Sequence, residues 1–138
     1  MTSKTGGELF REACALRDAG DVSAALPLFR KALELEPSRA GAWACLGQTL
    51  VDIGELPEGI ACLRKATALK PEDDSFAGGL YFALLDAALY DEAHAEAVRF
   101  MALVKSKGVP CADDVRNDLL VMVEHPETVK AMYARERS

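Results

Sequence analysis

Apolar residues recur at helical spacing in successive pairs of segments, each pair closed by a turn residue and a proline. In the first pair, Leu9, Ala13 and Leu16 form one stripe, with Phe10 beside it. Asp18-Ala-Gly-Asp21 supplies a turn, with Gly20 as the expected helix-ending glycine. A second helix is predicted from about Ser23 to Leu35, burying Ala25, Leu28, Phe29, Ala32 and Leu33, and Pro37 stops it. Pro27 falls just past its first turn, removes one donor and should bend its start. The second pair begins with Ser38 as N-cap and a stripe of Trp43, Leu46, Gly47 and Leu50, and Gly54 ends it. Pro57 opens the next helix, where a missing N–H costs nothing, and Ile60, Leu63, Ala66 and Leu69 follow before Pro71. Glu72-Asp-Asp-Ser75 opens a third pair with negative charge at a helix N-terminus.

The pairs are copies of one another at a 34-residue step. Arg30-Lys-Ala-Leu-Glu-Leu-Glu-Pro37 returns as Arg64-Lys-Ala-Thr-Ala-Leu-Lys-Pro71. The same step links Leu16, Leu50 and Leu84, and it links Gly20 to Gly54 and Ala88. A period of this length marks a solenoid, whose units bury their apolar faces only against neighbours. The third copy is degraded: Ala77 stands where Trp43 stood, Ala88 replaces the turn glycine, and Lys105 replaces the closing proline. Lys105 to Pro110 then reads as a loop. Asp113 or Asp114 caps a helix to about Val123, and His125-Pro126 restarts a short helix to about Arg135. This tail lacks the period and reads as a terminal cap. The expected architecture is an all-α solenoid of three helix pairs, 6–39, 40–73 and 74–107, with a helical cap over 108–138, all in a single domain spanning 1–138.

These residues resemble the tetratricopeptide repeat. The family pattern W-x2-L-G-x2-Y, then Gly, Ala, an aromatic, Ala and Pro is matched by Trp43, Leu46, Gly47, Leu50, Gly54, Leu63, Ala66 and Pro71. Gly59 departs from the packing alanine. The first unit matches through Ala13, Leu16, Gly20, Ala25, Phe29, Ala32 and Pro37, and the third mainly through its register. The resemblance implies that the first helix of each pair lines a concave groove. The inward positions are then Phe10, Cys14 and Arg17; Ala44, Cys45, Gln48 and Val51; and Ser75, Gly78, Gly79, Phe82 and Leu85. In this family a charged clamp can grip a chaperone's C-terminal carboxylate. The clamp positions here are Phe10, Cys14, Cys45, Ser75 and Gly79, none of which offers a positive charge, so a chaperone-tail adaptor is rejected. The groove is expected to be apolar. Two glycines inside a helix, Gly78 and Gly79, cost about 1 kcal/mol each relative to alanine. The reason expected for them is close approach of a partner helix or peptide. Coverage by the chain's own tail and self-association compete with that reading.

Composition narrows the function further. A net charge of −6 and the absence of any basic run argue against nucleic acid. No apolar stretch approaches the roughly 20 residues of a membrane span. The four cysteines (14, 45, 62 and 111) lack CxxC spacing, which points to a reducing cytosol and a cytoplasmic protein. Cys14 and Cys45 face one another in the family geometry, where small apolar packing outweighs a redox or metal role. Neither His94 nor His125 accompanies a nucleophile motif, and the acid pairs Asp73-Asp74, Asp91-Glu92 and Asp113-Asp114 sit at helix starts. No catalytic, metal or cofactor site is therefore expected. The expected function is a non-catalytic module that binds an apolar helix or peptide of a partner protein. Alternatives are a self-assembling scaffold, dimeric or filamentous, and a small inhibitor or immunity protein. A further alternative rests on size, charge and layout, which resemble the acidic tetratricopeptide chaperones of bacterial type III secretion.

Overall fold

The computed structural model describes residues 3–137. Its elements among these residues are all helical: α1 (Gly6–Asp18), α2 (Val22–Leu35), α3 (Ala40–Asp52), α4 (Leu56–Leu69), α5 (Asp74–Asp86), α6 (Tyr90–Lys107), α7 (Asp113–Glu124) and α8 (Pro126–Arg137). They fall into two compact units, Met1–Leu69 and Lys70–Ser138.

The 34-residue period is visible as repeated backbone chemistry. Gly20 and Gly54 have φ of 88° and 89°, and Ala88, one step further, is forced to 59°. At each of these turns the same two bonds close the preceding helix. Asp21, Glu55 and Leu89 donate to Leu16, Leu50 and Leu84 at 2.8, 2.8 and 2.9 Å. Gly20, Gly54 and Ala88 donate to Arg17, Val51 and Leu85 at 2.9, 3.0 and 2.9 Å. This is the Schellman pattern, which satisfies carbonyls that the helix end would leave bare and needs a left-handed residue to do so.

In the first unit α1 pairs with α2 and α3 with α4, and α3 also packs on α2 and α1. The core is Ala13, Ala25, Phe29, Leu33, Ala42, Leu46, Leu50 and Cys62. Small residues set the spacing. A Cβ on Gly47 would lie 2.9 Å from the Gly59 carbonyl oxygen, and one on Gly59 would lie 2.9 Å from that of Gly47. The α3 and α4 backbones therefore touch. Buried Thr49 and Thr67 satisfy their hydroxyls within their own helices, donating to Cys45 O at 2.7 Å and Leu63 O at 2.9 Å. Pro27 does not interrupt α2, which runs through it. Ser38 is not the cap of α3: Arg39 holds that position without a side-chain bond, its guanidinium turned to Glu36.

In the second unit α6 extends to Lys107, three residues into the segment expected to be a loop. Without a proline at position 105 nothing stops the helix until Gly108, which ends it in the left-handed region at φ 64°. The α7 helix then packs on α6 and α5, as α3 packs on α2 and α1. So the tail lacks the period in sequence but continues the stacking. The start of α7 is pinned by Ala112 N–H donating to Asp74 Oδ2 at 2.8 Å, rather than by an acidic side chain at its own N-cap. The α8 helix touches α7 sparingly; Lys130 ties it to Asp91 of α6 at 2.8 Å.

Candidate functional site

The face of the first unit that carries Phe10, Cys14 and Arg17 is built on a firmly started α1. Thr5 and Glu8 form a capping box, with Glu8 N–H donating to Thr5 Oγ1 at 3.1 Å and Thr5 N–H to Glu8 Oε1 at 3.3 Å. Bonds from the Thr5 backbone and hydroxyl hold the Glu8 carboxyl below the usual glutamate range. Phe10, Cys14 and Arg17 then fall on one face at i, i+4 and i+7. The half-buried Phe10 ring meets Phe29 at 6.1 Å, and the Arg39 guanidinium sits 5.9 Å from its centroid. Leu9 beside it is buried, while Phe10 stays partly exposed.

Cys14 of α1 and Cys45 of α3 come close enough for each thiol to act on the other. Burial, and then the neighbouring Cys45, pushes the Cys14 thiol above its ordinary value. Arg17 donates to Asp18 through Nε at 3.1 Å and Nη2 at 3.0 Å. Ala44 is half-buried, and exposed Gln48 donates to Asp52 at 2.9 Å. Val51 turns away from this group toward α4: its Cγ2 occupies the space, 2.7 Å away, that a Cβ on Gly59 would need.

The second unit sorts its predicted residues differently. Ser75 is exposed and donates to the α5 cap Asp73 at 2.6 Å. Gly78 and Gly79 lie inside α5, not at a frayed start. Gly78 is buried under α7: a Cβ there would meet Val115 Cγ1 at 3.3 Å. The close approach expected from a partner at Gly78 is made instead by the chain's own α7. Leu85 is a core residue, while Gly79 is half-buried and Phe82 is exposed against Tyr81, their ring centroids 5.1 Å apart.

Two features escaped the sequence reading. Trp43 is only half-buried; its indole N–H donates to Pro37 O at 2.8 Å. With Leu33, Leu46 and Cys62 it lines a cleft of about 330 Å³, bridged from α2 to α4 by the Arg30–Glu58 ion pair at 2.7 Å. Burial pushes the Cys62 thiol up. The second feature is a hollow among α5, α7 and α8 that includes Tyr81 and Phe82. A signal for it existed, since Tyr81 stands one period after Gly47 and two after Ala13. Among the described residues no three His, Cys, Asp or Glu side chains cluster as metal ligands, and no helix is long and apolar enough to cross a membrane.

Tandem helix pairs closed by left-handed turns at a 34-residue step define an all-α repeat protein of the solenoid class. The tetratricopeptide repeat family model matches residues 16–80. Over those residues the chain is similar to the tetratricopeptide repeat family. No curated protein matches it in sequence. Among solved structures, the tetratricopeptide domain of Sgt2 from Aspergillus fumigatus is similar at TM-score 0.72 and 19% identity, covering 96% of this chain and 81% of that one. The first tetratricopeptide domain of Spaghetti (RPAP3), bound to the HSP90 peptide SRMEEVD, is similar at 0.71 and 13% identity, covering 90% and 97%. The TPR2B domain of yeast Sti1, in a complex with an Hsp70 peptide, is similar at 0.69 and 13%, covering 95% and 97%.

Proposed function

We propose that this protein is a non-catalytic interaction module that holds an apolar helix or extended peptide of a partner against the inward faces of its first helices. The observation that carries the reading is the α1/α3 face, where half-exposed Phe10, Cys14, Ala44 and Cys45 lie together with Gln48. Arg17 and Arg39 are engaged within the chain, with Asp18 and Glu36 respectively. In the second unit, taken by itself, Ser75, Gly79 and Phe82 are accessible positions of α5. Two similar structures hold peptides, which supports a peptide as the kind of ligand. The SRMEEVD peptide is acidic, whereas Phe10, Cys14, Cys45, Ser75 and Gly79 carry no positive charge, so an apolar segment suits this chain better. Its four cysteines are free, in keeping with a reducing, cytoplasmic setting. Secretion chaperone and inhibitor are two special cases of the same module, separated by which partner is held.

A display selection with a random peptide library tests the proposal. Wild-type protein should enrich peptides rich in Leu, Ile and Phe. Replacing Phe10 by Ala, or Cys45 by Arg, should weaken the selected peptides by about tenfold or more, equivalent to ~1.4 kcal/mol. Enrichment of acidic C-terminal tails, or retention of every binder by both folded variants, would overturn it.

A further inference from the structure

Three helices of the second unit bring large apolar side chains to one exposed spot. Phe82 of α5, Val121 of α7 and Met132 of α8 are 38%, 46% and 53% exposed. With Tyr81, Val129 and Tyr133 they line a hollow of about 170 Å³, and Asp118 is the one charged lining residue among those described. Asp86 at the end of α5 and Glu136 on α8 also lie close enough to act on the Tyr133 hydroxyl. Carboxylates from three helices thus border one apolar, aromatic centre. Burial, first of all, pushes the hydroxyls of both Tyr81 and Tyr133 up, so both rings stay neutral at physiological pH.

We propose that this acid-bordered hollow docks a basic amphipathic segment of another protein, with an apolar side chain over Phe82, Val121 and Met132 and a Lys or Arg beside Asp118. Charge complementarity selects this occupant. A second copy of the chain carries a net charge of −6 and would bring like charge to the border. An anionic membrane surface would do the same. Aromatic faces attract a cation directly, and the alkyl stem of Lys or Arg packs on apolar side chains while its head stays at the polar rim. The inference rests on the reading above only in assigning Phe82 to a partner surface. The α1/α3 face plays no part in it.

The test uses the full chain and a fluorescently labelled synthetic peptide of about 15 residues, long enough for a helix, with Leu and Lys at helical spacing. One control peptide has Glu for every Lys, and another has Ser for every Leu. Only the Leu/Lys peptide should bind. Phe82→Asp should weaken it by about tenfold or more. Asp118→Asn should weaken it several-fold and flatten its salt dependence. The first substitution adds negative charge, so general attraction between an acidic protein and a basic peptide would strengthen, not weaken. Val121→Asp on a different helix repeats the test should Phe82→Asp fail to fold by circular dichroism. Undiminished binding by a folded variant, or equal binding of the Leu/Glu peptide, overturns the proposal. So does a wild-type dimer in light scattering that Phe82→Asp converts to a monomer, since the patch would then be a self-interface. Loss of the Leu/Lys peptide on Phe10→Ala but not on Phe82→Asp sinks this inference and spares the α1/α3 reading. The reverse pattern supports this inference and leaves the α1/α3 reading to the display selection.

Discussion

The α3–α4 hairpin and the α5–α6 hairpin occupy equivalent positions in the repeat, yet they are packed by opposite means. Gly47 and Gly59 let α3 and α4 approach until their backbones meet. One period later the same positions hold Tyr81 and Ala93, both buried, and α5 and α6 lie in looser contact. Buried side chains thus stand where two glycines let backbones meet in the first unit. One period therefore tolerates two packing solutions, provided that the turn chemistry and helix lengths between them are kept. It also explains why the second unit carries the α5–α7–α8 hollow: Tyr81 lines it from α5 and Tyr133 from α8.

The comparison breaks hardest at its aromatic member. Tyr81→Ala should destabilise the second unit by about 3–5 kcal/mol, the range for removing a buried aromatic, read as a fall in the urea midpoint of tyrosine or amide signals from that unit. An unchanged midpoint would show that Tyr81 is not a packing element. Gly47→Ala attacks the other solution. Its Cβ meets backbone at 2.9 Å and cannot be relieved by rotating a side chain, so a loss of about 1–3 kcal/mol is expected in the first unit. The same experiment should leave amide exchange in α7 unchanged.

Ala88 sharpens the comparison at the turns. It holds a left-handed conformation that its period partners Gly20 and Gly54 adopt without strain. Relieving about 1–2 kcal/mol of αL strain against a smaller unfolded-state entropy cost, Ala88→Gly should stabilise by up to about 1 kcal/mol. Gly54→Ala should lose a similar amount, although nothing lies within 4 Å of the added methyl. Thermal melts of the two variants should move in opposite directions.

The smallest effect lies at the Lys130–Asp91 link. The hydrogen bond from Lys130 holds the Asp91 carboxyl below its ordinary value, and that bond raises the Lys130 ammonium above its own. The carboxylate's contribution is present above the unfolded value of about 3.9 and is lost as pH falls through the lowered folded one. The ammonium's contribution is present below about 10.4 and is lost as pH rises through the raised folded one. Between those limits Lys130→Met should speed α8 amide exchange by less than about fivefold at low salt. Once pH has fallen below the lowered Asp91 value, the two proteins should exchange alike.

Much of the scaffold was legible because turns and helix stops act locally. Gly20, Gly54, Pro37 and Pro71 each announce a boundary through their own backbone preferences, and Leu16, Leu50 and Leu84 repeat because one face is buried every time. Phe10 and Cys14 fall on one face of α1 through local helical spacing alone. Val51 was misread because Gly59 opens space for it toward α4. Gly78 was misread because its neighbour is Val115, which follows an α6 four residues longer than α2 or α4. That extra length removes the tail from the 34-residue register without removing it from the stack.

The sequence alone determined the helices, the period and the left-handed turns, since each depends on residues within a few positions of one another. Only the tertiary structure decided what covers α5. The contacts of Val115 with Gly78, of Lys130 with Asp91 and of Ala112 with Asp74 join residues more than 30 positions apart, outside any repeat. Such contacts follow from shape and charge meeting across helices, and periodicity records neither.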